Sequence, residues 1–203
     1  MFKKSSKILH ISIGIILLLI WTFDLFHNPN VLNFLSYFTV ESIFLYAMLA
    51  IIYGLNKKTN PLIDSLRGAV TVYIIVVAAG FVLLVEKTQG PLILPWINTL
   101  YHKIMPFIIL ADWIFFPPKV LLRYKQAIYW LIIPLLFSGY TLVRGFFINW
   151  YPYDFVDPVK HGYQSVLINL FVFLMFLVIT SFIIIFIGNK MWRKNLFSEK
   201  TSK

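Results

Sequence analysis

A chain of 203 residues that is 60% hydrophobic and only 13% charged is too apolar for a soluble domain, which is roughly half apolar and a quarter charged. It has no cysteine, so disulfides, thiolate metal sites and a cysteine nucleophile are excluded. The net charge of +10 raises the question of nucleic acid, but the basic residues flank apolar runs, so they are read as topology signals of a membrane protein and no nucleic-acid partner is expected.

Six apolar spans follow one another, at roughly 8–26, 34–54, 66–86, 97–116, 126–148 and 164–188. The first begins after Lys3, Lys4 and Lys7. It resembles a signal peptide only in that basic start, because FDLFHNPN offers no small-x-small cleavage site, so it is read as a retained helix. The second and third are separated by NKKTNP (56–61), the third and fourth by a stretch containing QGP (89–91), and the fourth and fifth by one opening with FPPK (116–119). The fifth and sixth are joined by the longest connection, NWYPYDFVDPVKHGY (149–163). In lipid the backbone must satisfy its own hydrogen bonds, so spans of these lengths are helices. The expected fold is all-α: one polytopic domain over residues 1–203, a bundle of six transmembrane helices.

Fourteen basic residues fall on one side: Lys3, Lys4, Lys7, Lys57, Lys58, Arg67, Lys119, Arg123, Lys125, Lys190, Arg193, Lys194, Lys200 and Lys203. Lys87, Lys103 and Lys160 fall on the other. Cytoplasmic loops collect positive charge, so both termini are expected in the cytoplasm of a multi-pass cell-membrane protein.

Orientation gives each polar residue a depth. His102 lies about 9 Å below the outer start of span four, and Thr39 about 8–9 Å below that of span two. Arg144 lies about 6–8 Å below the outer end of span five, and Glu41 is slightly deeper than Thr39. Asp24 and His27 close span one on the same side, and Asp154, Asp157 and His161 lie in the loop above. Ionisable groups are costly in hydrocarbon, so their gathering at one level suggests a wet pocket. Along span five, Ser138, Thr141 and Arg144 form a polar stripe expected to face the interior; Thr39 shares a face with Ser42 and Tyr46.

Each residue also has a plainer role. A membrane threonine usually bonds its own backbone one turn earlier. A histidine near a helix end can be an interfacial or packing residue, and Arg144 can snorkel or pair with Glu41, Asp154 or Asp157. Asp112, about 15 Å along the axis from His102, is expected to pair near the inner interface with Lys119 or Arg123. There is no zinc-type ligand spacing or Gly-rich phosphate loop, and haem would need facing histidines at matched depth, so no metal or cofactor is expected.

The stretches YFTVESIFLYAML (37–49), LRGAVTVYI (66–74), NTLYHKIMPFIILADWIFF (98–116), YTLVRG (140–145) and WYPYDFVDP (150–158) resemble a bacterial six-helix membrane protein family. That family is more distantly similar to the animal androgen-induced and androgen-dependent TFPI-regulating proteins, multi-pass hydrolases of fatty acid esters of hydroxy fatty acids. The resemblance spans about residues 8–188 and implies a threonine nucleophile at Thr39 and a histidine at His102. The spacing from His102 to Pro106 is one residue shorter than in the animal form.

Two functions compete at this stage. One is an intramembrane lipid-ester hydrolase in which His102 deprotonates Thr39, with Arg144 or Asn98 stabilising the oxyanion or Arg144 holding a lipid anion. Asp154, Asp157 or His161 would then act as lid or orienter of His102. The other is a non-catalytic protein that binds or transports an anionic amphiphile through Glu41, His102 and Arg144. Membrane lipids are the expected partners of both, and the oligomeric state is left open.

Overall fold

The structure is a computed structural model that describes residues 4–56, 60–85 and 94–201. Lys3, Lys57, Lys58, Lys87, Lys203 and the QGP turn at 89–91 lie outside the described residues. All regular structure among the described residues is helical: α1 (Lys4–His27), α2 (Val31–Phe34), α3 (Phe38–Leu55), α4 (Pro61–Gly80), α5 (Pro95–Thr99), α6 (Met105–Phe115), α7 (Gln126–Tyr129), α8 (Ile132–Ile148) and α9 (Pro158–Thr201). Widened π turns extend α4 over Phe81–Val85 and join α5 to α6 over Leu100–Ile104, and a 3₁₀ turn covers Asp154–Val156.

Among the described residues five helices are long and apolar enough to cross a membrane: Ser5–His27, Phe38–Leu55, Pro61–Leu84, Gln126–Ile148 and Pro158–Phe197. The expected fourth span is not among them: over that stretch the chain forms α5, the π turn and α6. Its proline explains the break. Pro106 has no N–H and its ring crowds the carbonyl of the residue four before it, which is His102. The chain widens at that point, and the Met105 N–H bonds to the Leu100 carbonyl five residues back.

The sixth span, expected over 164–188, is longer at both ends (Pro158–Phe197), and the second starts later than expected. The second does not run unbroken from residue 34. The short α2 is capped by Asn30, whose side chain accepts from the Asn33 N–H at 3.0 Å, and the helix proper starts again at Phe38. Thr39 therefore lies in the first turn of α3 rather than five or six residues inside a span.

The centre of the bundle is α3 and α4, with 61% and 56% of their most apolar windows buried, against 22% for α1, 17% for α8 and 28% for α9. The outer helices turn residues such as Leu19, Phe147 and Phe171 outward, as lipid-facing surfaces require. α1 packs antiparallel on α3 through two glycines: a Cβ at Gly14 would lie 2.6 Å from the Ala47 carbonyl oxygen, and one at Gly54 would lie 2.8 Å from that of Lys7. α9 is pinned by polar bonds. Trp113 Nε1 donates to the Ile184 carbonyl at 3.0 Å, and the Asn189 amide makes two 2.9 Å bonds to the Leu122 backbone. These contacts place the start of α3, the start of α5 and the end of α8 at one end of the bundle, under the 149–157 loop.

Candidate functional site

Several hydroxyls in and beside these helices bond their own backbone. Thr71 donates to the Arg67 carbonyl, Ser138 to Pro134, Ser181 to Leu177 and Ser36 to Leu32, each at 2.7–2.8 Å and each four residues back. Thr39 does not. Four residues before it stands Leu35, outside α3, so no helical carbonyl lies beneath its hydroxyl. Its Oγ1 turns instead to His102 Nε2, 3.2 Å away, on a residue 63 positions further along the chain. Thr39 is buried and the His102 ring is half-buried.

The second ring nitrogen decides the tautomer. His102 Nδ1 lies 3.1 Å from the Asn98 backbone carbonyl, which can only accept. Nδ1 therefore carries the hydrogen, and Nε2 presents its lone pair to the Thr39 hydroxyl. Phe81, on the π turn that follows α4, stacks on the imidazole with centroids 4.0 Å apart and planes at 21°. The ring is thus held in plane and in tautomer by Phe81 and Asn98. The contact from Asn98 is its carbonyl, not the side-chain amide considered as an oxyanion donor.

The start of α3 lacks a side-chain cap of its own, because Tyr37 occupies the cap position and makes no capping bond. The 149–157 loop supplies one. The Tyr153 hydroxyl accepts the Phe38 N–H at 2.9 Å and lies within hydrogen-bond reach of the Thr39 hydroxyl and N–H. Burial pushes both the Tyr153 and Tyr37 phenols up to about 12, so both remain protonated at neutral pH. Tyr153 is the site residue that sequence reasoning missed. The YPY motif is visible in the sequence, but nothing local to it points the Tyr153 hydroxyl at the start of α3.

Arg144 and Thr141 face inward, as expected for the α8 stripe, with Thr141 buried and Arg144 half-buried. Arg144 Nη2 donates to Asn33 Oδ1 at 2.7 Å, and its guanidinium sits 5.0 Å above the Trp150 ring. Its partner is therefore a neutral amide on α2, not Glu41, Asp154 or Asp157. Trp150 packs edge-on against Tyr37, and Tyr37 against Tyr153, so an aromatic row links Arg144 to the Thr39 end of α3. Glu41 is half-buried, and its carboxylate has no partner among the described residues.

The loop acids are engaged outside the Thr39–His102 pair. Asp154 binds Lys160 Nζ at 2.8 Å and His161 Nε2 at 2.9 Å, and these contacts hold its carboxyl below the usual range. Asp157 Oδ1 caps α9 by accepting the Val159 and Lys160 N–H groups. The orienter of His102 is the Asn98 carbonyl, so neither acid nor His161 has that role in this arrangement.

A second polar cluster lies at the opposite end of the bundle. Asp112 is held by Arg67 Nη2 at 2.9 Å and by His10 Nε2 at 2.8 Å, not by Lys119 or Arg123. Asp64 accepts the Lys119 backbone N–H at 2.8 Å, and Tyr53 lies 3.8 Å beneath the Arg67 guanidinium. Sequence neighbours suggested the wrong partners because α1 and α4 reach Asp112 across the bundle. Comparison with protein-family profiles, curated proteins and solved structures finds no match for this chain.

Proposed function

We propose that this protein is an intramembrane ester hydrolase with Thr39 as nucleophile and His102 as general base. One observation carries the assignment: a buried threonine hydroxyl, released from its own helix, faces the lone-pair nitrogen of a histidine whose tautomer is held by a carbonyl. The 3.2 Å separation is at the loose end of a working contact, as is usual before substrate binds. His102 takes the Thr39 proton as Oγ1 attacks an ester carbonyl, and returns it to the departing alkoxide. Water then attacks the acyl-threonine as His102 removes its proton; the acyl–Oγ1 bond breaks, His102 returns the proton to Thr39 Oγ1, and the free acid leaves. Charge on the tetrahedral oxygen meets the positive end of α3 and the protonated Tyr153 hydroxyl.

The resemblance of YFT and NTLYHKIMPF to the androgen-induced protein family supports the same two residues. The substrate class we infer is a lipid ester with an anionic end, held by Arg144. In the same scheme the chain crosses the cell membrane six times, with α5–α6 as the fourth crossing and both termini cytoplasmic. The described basic residues Lys119, Arg123, Lys125, Lys190, Arg193 and Lys194, away from the Thr39 end, support that orientation.

The test is turnover of p-nitrophenyl fatty esters and lipid esters by purified protein beside Thr39→Ala and His102→Ala. We expect each variant to fold and to lose about 10²–10⁴-fold in rate, the range for a removed general base. Folded variants with wild-type turnover would falsify the assignment. A second function, binding of an anionic amphiphile without chemistry, is favoured by Arg144, which no carboxylate pairs among the described residues. It would show as ligand binding that survives Thr39→Ala and is lost in Arg144→Ala.

A further inference from the structure

The face of α3 that carries Thr39 continues inward with hydroxyls. Ser42, Tyr46 and Tyr53 follow at helical spacing, all within about 60° of one another around the axis. Ser42 is fully buried and Tyr46 is 3% exposed, yet neither hydroxyl has a hydrogen-bond partner among the described residues. A buried hydroxyl without a partner is costly, and such groups normally hold water or a ligand. Along the axis, the Cα of Ser42 lies about 4.5 Å from that of Thr39, and the Cα of Tyr46 about 6 Å from that of Ser42.

The inner end of this row meets the second polar cluster. There the Tyr53 ring lies 3.8 Å from the Arg67 guanidinium and 4.8 Å from the His10 ring. His10 completes the cluster from α1. Its Nδ1 lies 2.6 Å from the Ser6 carbonyl, an acceptor only, so that nitrogen carries a hydrogen. Its Nε2 lies 2.8 Å from Asp112 Oδ1, off the N–H axis. The groups facing the pair are Tyr46 and Tyr53 from α3, Asp64 and Arg67 from α4, and the Ser6 backbone of α1. Arg67 with two carboxylates leaves one negative charge, which a single proton on His10–Asp112 balances.

We propose that the hydroxyl row Thr39–Ser42–Tyr46 is a buried proton path joining His102 at one end of the bundle to the proton-binding pair His10–Asp112 at the other. Each hand-over is balanced: a hydroxyl accepts a proton on its lone pair and releases its own to the next group. Nothing is oxidised and no covalent bond to carbon changes. The path does not depend on ester hydrolysis, and an inactive esterase leaves it standing.

The experiment uses full-length protein in phosphatidylcholine vesicles loaded with pyranine, with proton entry driven by a valinomycin–potassium potential. Wild-type protein should acidify the lumen faster than protein-free vesicles, and Tyr46→Phe and Ser42→Ala should fall to the protein-free rate. Both substitutions delete only an unpartnered hydroxyl, so folding is retained. Melting temperature gives an independent readout. In a dry site, removing the hydroxyl raises it; in a hydrated path it stays level or falls. Wild-type flux equal to that of protein-free vesicles, variants as fast as wild type, or a rise in melting temperature for both variants overturns the proposal.

Discussion

Pro106 stands four residues after His102, so its ring and its missing N–H both fall on the His102 carbonyl. The π turn over Leu100–Ile104 is the result. The same proline that interrupts the membrane helix therefore sets the rotation at which His102 reaches Thr39. It follows that Pro106→Ala should let the turn relax to α geometry, rotating α5 and His102 by about 100° relative to α6. Histidine-selective ¹⁵N NMR should show His102 Nε2 losing its hydroxyl partner, and ester turnover should fall with it. An unchanged His102 spectrum would mean that something other than Pro106 holds the turn.

Tyr153 caps α3 from a loop more than a hundred residues away in sequence. Tyr153→Phe leaves the Phe38 N–H unbonded while keeping the ring packed against Tyr37 and Phe155. A lost cap costs about 1–2 kcal/mol. Thermal or denaturant unfolding in detergent should register a loss of that size, and no loss would place the cap elsewhere.

Arg67 and Asp112 are both nearly fully buried. Arg67→Met strands Asp112 with His10 alone, and breaking such a pair costs about 3–5 kcal/mol. Replacing both, as Arg67→Met with Asp112→Leu, should recover much of that stability, because the uncompensated charge is gone. Equilibrium unfolding of the three proteins gives the comparison, and additive losses in the double variant would count against a coupled pair.

Gly188 meets Trp113 where α9 crosses α6. A Cβ there would lie 2.7 Å from the indole, and the indole cannot withdraw because it is fully buried and tied to the Ile184 carbonyl. Gly188→Ala should therefore destabilise by about 1–3 kcal/mol through overpacking. Gly139, whose added Cβ meets nothing within 4 Å, is the control, and Gly139→Ala should not lower the melting temperature.

Asp154 is held below the usual carboxylate range by hydrogen bonds from Lys160 and His161. A depressed folded value means that its tether is complete above the ordinary Asp pKa of about 3.9 and is lost as pH falls through the lower folded value. Tryptophan fluorescence from Trp150 should be level from neutral pH down to about pH 4 and change below it. In Asp154→Asn the acid transition should be absent. The group is surface-exposed, so the effect on global stability is small.

Composition and hydropathy were enough to place the chain among helical membrane proteins, because an apolar run of that length has no other stable form in lipid. Counting residues from the apolar boundaries also put Thr39 and His102 at one depth, although the count took both spans as unbroken helices, which the restart at Phe38 and the π turn over Leu100–Ile104 show they are not. Depth does not say which faces meet, and that was left to packing. The His10–Asp112–Arg67 cluster shows the limit: His10 and Arg67 lie near the starts of α1 and α4 and Asp112 near the end of α6, all at one end of the bundle, but their meeting depends on how α1, α4 and α6 rotate against one another. Tyr153 is the second case. A loop carries no periodicity, so nothing local pointed its hydroxyl at the start of α3. Local chemistry along the chain determined the helices and their polar levels; the pairing of atoms across helices was decided only when side-chain volume, glycine contacts and the Pro106 offset set each rotation.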